Sequence, residues 1–286
     1  MRGAIVINGY LNGPKFMEPA EMMVEAAKRH GVEMGIYLNT DLTVPIGDIE
    51  GFRRILGDMD FIIFWDKDVK LAKNLEICDF PVFNCSECIR LCDDKALTHL
   101  TLEEWGIPSI RTLMNPMSFG YSYDEWLSKA KITLGYPMVV KECFGSFGEQ
   151  VRMVRDDNDL MKEGNPGTPK VFQEYVDCGA TDLRIEVVGG RVAAAVKRSA
   201  KAGDFRSNAS RGGIMTDYKP TEEEATLAIE AASALQAEFA GVDILPTKNG
   251  PIVCEVNSNA HIKNLREATG IDVSDDILEH IINFLK

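Results

Sequence analysis

Apolar positions fall in two rhythms along the chain. In the first hundred residues, short apolar runs ("GAIVIN", "MGIYL", "DFIIFW", "PVF") alternate with stretches of helical period such as "EPAEMMVEAAKRHG", which closes on Gly31. Alternating strands and helices predict a parallel sheet with helices on its faces. Next come helices expected in "KALTHLTLEEWG" and "DEWLSKAKITLG" and strands in "YPMVVKEC", "VRMV" and "KVFQEYV". From about residue 177 the rhythm turns antiparallel, since "DLRIEVV" and "RVAAAVKRSA" flank Gly189-Gly190, a two-residue hairpin turn. A long helix, "TEEEATLAIEAASALQAEFAG", opens on a Thr221 cap with Glu222, Glu223 and Glu224 in its first turn, and two strands follow. The expected architecture is α/β, with a parallel-sheet unit at 1–93 and two α+β units at 94–176 and 177–286.

Composition narrows the class without naming the chemistry. The 286 residues, 45% hydrophobic and 26% charged, suit a soluble globular chain. No apolar run approaches the roughly 20 residues that span a bilayer. "MRGAIVING" is too short for a signal-peptide core, so the cytoplasm is the expected location. A net charge of -13 repels nucleic acid and anionic lipid, which argues against either as a partner. Cys85, Cys88 and Cys92 lack a fourth ligand at zinc spacing and read as small reduced hydrophobes on one helix.

The closing strand, "PIVCEVNSN", carries more information. Strict alternation puts Ile252, Cys254 and Val256 on one side and Glu255, Asn257 and Asn259 on the other. A hairpin with the preceding "GVDILPTKNG", closed by a three-residue loop ending on Gly250, would pair Leu245 with Val253 and Asp243 with Glu255. Facing carboxylates repel unless a cation lies between them. Asp243, Glu255 and the Asn257 amide together suit Mg²⁺ or Mn²⁺, which takes hard oxygen ligands and carries phosphate.

Phosphate binders are present as well. "VVKECFGSFGEQ" ends a strand on Lys141 and continues through Gly145, Ser146 and Gly148, whose backbone N–H groups can approach an anion. "KRSAKAGDFRSNASRGG" gathers Lys197, Arg198, Lys201, Arg206 and Arg211 against Asp204 alone, a local anion site in an acidic chain. In "VFQEYVDCGATDLR", backbone groups could meet a purine edge and Asp182 the ribose hydroxyls.

Taken in order, these segments resemble the ATP-grasp superfamily, most closely the RimK-like glutamate ligases, over about residues 80 to 273. The resemblance rests on "CDDKALTHLTLEEWGIPSIRT", "VVKECFGSFGEQV", "QEYVDCGATDLR", "KAGDFRSNASRGG", and "AGVDIL" with "CEVNSN". It implies a pre-ATP-grasp domain followed by two ATP-grasp subdomains. Lys95 and Lys141 would hold the phosphates, Glu174, Tyr175 and Val176 the adenine, and Asp182 the ribose. Arg206, Ser207 and Asn208 would lie by the triphosphate, with Lys141 and Arg206 catalytic and Asp243, Glu255 and Asn257 on two metal ions. The implied reaction joins a carboxylate acceptor to a glutamate-like amino acid through an acyl phosphate; a kinase or a regulatory nucleotide-binding module stays open, as does a homo-oligomer. The family's Ser-Pro-Gly after the metal-binding strand is here "SNAHIKNLREATG", where His261, Lys263 and Arg266, or Arg184, could grip a substrate carboxylate.

Overall fold

The computed structural model describes residues 1–11, 13–145, 148–164, 167–200, 213–259 and 262–286. Three sheets organise them. The first is parallel, in the order β2 (Glu33–Leu38), β1 (Arg2–Ile7), β3 (Phe61–Trp65) and β4 (Val82–Phe83). Its crossovers are α1 (Pro14–Arg29), α2 (Ile49–Leu56) and α3 (Val69–Ile77). Alternation along β1 explains the two covered faces. Ile5 and Ile7 enter a core with α1, while Ala4 and Val6 enter another with Phe52 and Leu75 of α2 and α3.

Two helices, α4 (Ser86–Asp93) and α5 (Lys95–Glu104), lead to the second, antiparallel sheet. Its order is β5 (Thr112–Met114), β8 (Lys170–Glu174), β6 (Met138–Glu142) and β7 (Val151–Val154). Helices α6 (Asp124–Leu134) and α7 (Asp157–Lys162) accompany it. The third sheet, also antiparallel, runs β11 (Ile214–Asp217), β10 (Arg191–Ser199), β9 (Thr181–Val188), β12 (Phe239–Thr247) and β13 (Gly250–Asn257). Helix α8 (Glu222–Ala234) packs Leu227, Ala228 and Ala231 on one face of this sheet, with Cys88, Cys92 and Leu102 in the same core. The cysteines expected on one helix are therefore core side chains, with Cys85 capping α4. Helices α9 (Ile262–Thr269) and α10 (Val273–Phe284) close the chain against the first sheet's core.

Two expectations need correction. The helix opening at Thr221 ends at Ala234, not Gly241, because Gln236 takes φ of 57° and β12 begins at Phe239. Ala234, Leu235, Ala237, Phe239 and Ala240 keep apolar residues frequent across that junction, so the helical rhythm hides the stop. The last hairpin turns through two residues, since Thr247 pairs with Gly250. This moves Val253 opposite Ile244 rather than Leu245, and a β-bulge between Asp243 and Ile244 then restores the pairing of Asp243 with Glu255. No described helix is long and apolar enough to cross a membrane.

Candidate active site

The bulge sets the chemistry of β13. With one extra residue on this strand, Cys254 and Glu255 both border the cavity, while Val253 and Val256 form the apolar back in the α8 core. Strict alternation had put Cys254 behind the sheet. The cavity, about 790 Å³, lies among all three sheets. Residues 108–110 hold the second sheet's approach to β13, through Val253 N to Pro108 O at 2.9 Å and Ile110 N to Val253 O at 3.3 Å.

Lysines reach β13 from the other side of the cavity. Lys95, at the start of α5, donates to Gly145 O at 2.9 Å and lies 3.6 Å from Glu255 Oε1. Lys141, on β6, points its Nζ to Cys254 Sγ at 3.6 Å. Burial works against ionisation of Glu255, but Lys95 and Lys141 outweigh it and hold the carboxyl below its ordinary value. Burial pushes the Cys254 thiol up to about 11, so it faces Lys141 as a neutral group. His99, behind Lys141, is driven down to about 3 by burial and by that lysine, and stays neutral.

Across the sheet, charge pairs in rows. Arg198 on β10 donates through Nε and Nη2 to Asp182 at 2.6 and 2.7 Å, and its Nη2 also reaches Asp243 Oδ1 at 2.9 Å. Arg184 forks onto Asp243, with Nη2 to Oδ2 at 2.9 Å and Nε to Oδ1. Burial alone would raise the Asp243 carboxyl, but Arg184 and then Arg198 overcome it and hold it at about 2. The expected repulsion between Asp243 and Glu255 is thus relieved by two guanidiniums and two lysines of the chain itself. Arg184 is accordingly committed to Asp243 instead of free for a substrate carboxylate. Glu186, two residues on, is 3% exposed, and its partner among the described residues is Arg184 Nη1 at 3.9 Å. Burial lifts its carboxyl to about 7 despite Arg184.

The remaining sequence-derived positions divide three ways. Lys95, Lys141, Gly145, Glu174, Tyr175, Val176, Asp182, Asp243, Glu255 and Asn257 all border the one cavity. Ser146, Arg206, Ser207, Asn208 and His261, with Lys201, Asp204 and Arg211, lie outside the described residues. Lys197 is exposed on the opposite side of β10 from buried Arg198, so the two cannot share an anion site. Lys263 pairs with Glu18 at 2.6 Å and Arg266 with Asp272 at 3.6 Å.

Sequence reasoning passed over Gln173 and Asn259 as orphans. Among the described residues, Gln173 Oε1 and Asn259 Oδ1 are buried without a hydrogen-bond partner, and both residues border the cavity. Such atoms are costly unless a ligand completes them. Among the described residues no three acidic, histidine or cysteine side chains converge as a metal cluster. A divalent cation would therefore rely on Asp243, Glu255 and amide oxygens, with phosphate completing the shell. Asn257 suits this, because its Nδ2 is spent on Gly241 O at 3.3 Å and its Oδ1 is uncommitted among the described residues. The donor set fits Mg²⁺ or Mn²⁺.

Residues 92–281 match the family model for the RimK-like ATP-grasp domain. The chain belongs to the RimK-like ATP-grasp family. Its ATP-grasp core is of the carboxylate–amine ligase class, which uses ATP and divalent metal. A probable alpha-L-glutamate ligase of Pseudomonas entomophila is 38% identical over 168 residues, 57% of this chain and 56% of that protein. The uncharacterized MG012 homolog of Mycoplasma pneumoniae is 27% identical over 268 residues, 91% of each chain. The crystal structure of a RimK domain ATP-grasp protein from Sphaerobacter thermophilus shares the fold, with a TM-score of 0.74 at 19% identity over 99% of this chain and all of that one.

Proposed function

We propose that this RimK-like chain phosphorylates a substrate carboxylate with ATP and lets an amino acid, glutamate or a close analogue, displace the phosphate to form an amide. The observation that carries the reading is the meeting of Lys95 and Lys141 with Asp243, Glu255 and Asn257 around one cavity. Units at 1–93, 94–176 and 177–286 frame it, with ATP between the last two. The adenine lies against Glu174, Tyr175 and Val176, where the orphaned Gln173 Oε1 can accept from an exocyclic amine. Asp182 is assigned to the ribose, although Arg198 already holds it.

Phosphoryl transfer calls for positioning and charge neutralisation more than for a protein nucleophile. Lys95 and Lys141 supply fixed positive charge to the phosphates, with Ser146, Arg206, Ser207 and Asn208 assigned beside them. Asp243, Glu255 and Asn257 would hold two ions, Mg²⁺ or Mn²⁺, which supply Lewis-acid charge when bound. Gly145 and Gly148 belong to the loop assigned to shield the acyl phosphate from water. Attack of the amine on the acyl carbon then expels phosphate and leaves ADP.

The test combines ADP release with mass spectrometry, using ATP, Mg²⁺, isotopically labelled glutamate and a panel of carboxylates. A product heavier by one amino acid residue is expected. A stable phosphoester without amide would replace the ligase with a kinase, and no ADP release across the panel would remove turnover altogether.

A further inference from the structure

The charged rows of the third sheet do not balance. Glu255 of β13 faces Lys95, but along β9, β10 and β12 Asp182, Asp243 and Glu186 bring three carboxylates to the cavity, while Arg184 and Arg198 bring two guanidiniums. Both arginines spend their short contacts on Asp182 and Asp243. Glu186 is the carboxylate left over. Nothing among the described residues donates a hydrogen bond to it, and Arg184 stands 3.9 Å away. A buried carboxylate without a donor is destabilising in the way a broken ion pair is, so its retention in a core strand needs a reason.

Its surroundings supply one. Glu186 pairs with Gly241 across β9 and β12, and Gly241 pairs with Asn257 on β13. Glu186 is therefore separated from a proposed metal ligand by a residue with no side chain. The same cavity continues to Lys263 and Glu18, beyond the nucleotide's expected place. A group entering here meets a carboxylate with no hydrogen-bond donor among the described residues. That is the complement of an ammonium.

We propose that Glu186 seats the ammonium group of the amino-acid substrate, distinguishing an amine from a plain carboxylic acid. The assignment rests on the ligase reading above and deepens it. An ammonium carries its own donors and needs one good acceptor, which Glu186 offers; a bare divalent cation would need several oxygens at once. Removing the surplus charge should also relieve the fold, since Glu186 has no donor to lose.

The experiment titrates the wild type and Glu186→Gln, each with Mg-ADP, with paired probes: L-glutamate against glutarate, L-alanine against propionate, and glycine against acetate. The wild type is expected to prefer at least one amino acid over its deaminated partner by about tenfold or more, the span of a charge-assisted hydrogen bond. Glu186→Gln should shrink that preference to within about threefold and melt no lower than the wild type; Glu186→Asp should recover part of it. A wild type indifferent within every pair, or a Glu186→Gln variant that keeps the preference, overturns the proposal. A variant that loses stability with its preference unchanged makes Glu186 structural and overturns it as well. ADP release by the wild type decides the ligase reading separately.

Discussion

Replacing Asp243 by Asn tests the balance of charge in the third sheet. The carboxylate is 6% exposed and held by Arg184 and Arg198. Its pKa falls from an ordinary 3.8 to about 2. That depression is worth about 2–3 kcal/mol of folding stability. An independent guide, the cost of removing one partner from a buried ion pair, starts at about 3 kcal/mol. The variant should therefore melt on the order of 5–10 °C lower at pH 7. Because the folded-state pKa is the lower one, this stabilisation is complete above the ordinary carboxylate value and is lost as pH falls through about 2. In denaturant titrations, roughly 1 kcal/mol of the difference between wild type and variant should be gone by pH 3. Amide formation should fail at every pH. A variant as stable as the wild type at pH 7, or a gap that does not narrow at pH 3, would refute the claim that this carboxylate anchors the two guanidiniums.

Other substitutions probe separate parts of the argument. Lys141→Met removes a buried ammonium that faces Cys254 and helps hold Glu255 ionised, so it should weaken ATP binding by about tenfold or more, checked by nucleotide titration. Gly189→Ala should cost about 1–2 kcal/mol or more, because φ is 55° and the new Cβ would lie 2.4 Å from His280 Nδ1. Gly190→Ala, with nothing near its Cβ, should cost less in the same denaturant titration. Thr221→Ala breaks the capping box with Glu224 and should cost about 1 kcal/mol, with activity unchanged.

Much of this layout was legible in residue order. The rhythm of Ala4 to Ile7 and Phe61 to Phe64 marks a sheet covered on both faces, and Gly189-Gly190 marks the β9–β10 hairpin of the third sheet. The pairing of Asp243 with Glu255 was also reached, but through a three-residue turn that does not exist; the shorter turn and the bulge cancel. Alternation cannot reveal a bulge, which is why Cys254 was placed on the wrong side. The arginine pairs were hidden for another reason. Asp243 is 59 residues from Arg184 along the chain, and only the order β10-β9-β12 brings them together. Glu186 gave no signal beyond an acid inside an apolar strand, and its meaning comes from counting neighbours that local sequence does not list.

The packing of α10 has a consequence for synthesis. Ile5, Ile7, Phe61 and Ile63 share their core with Val273, Ile277, Leu278 and Ile281, and Arg29 is clasped by Asp272 and Asp275. A nascent chain emerging from the ribosome thus carries the first sheet with this face covered by α1 but left incomplete until α10 is made. Until then part of that face stays open to chaperones and proteases, so loss of α10 should betray itself in the strands at the other end of the fold.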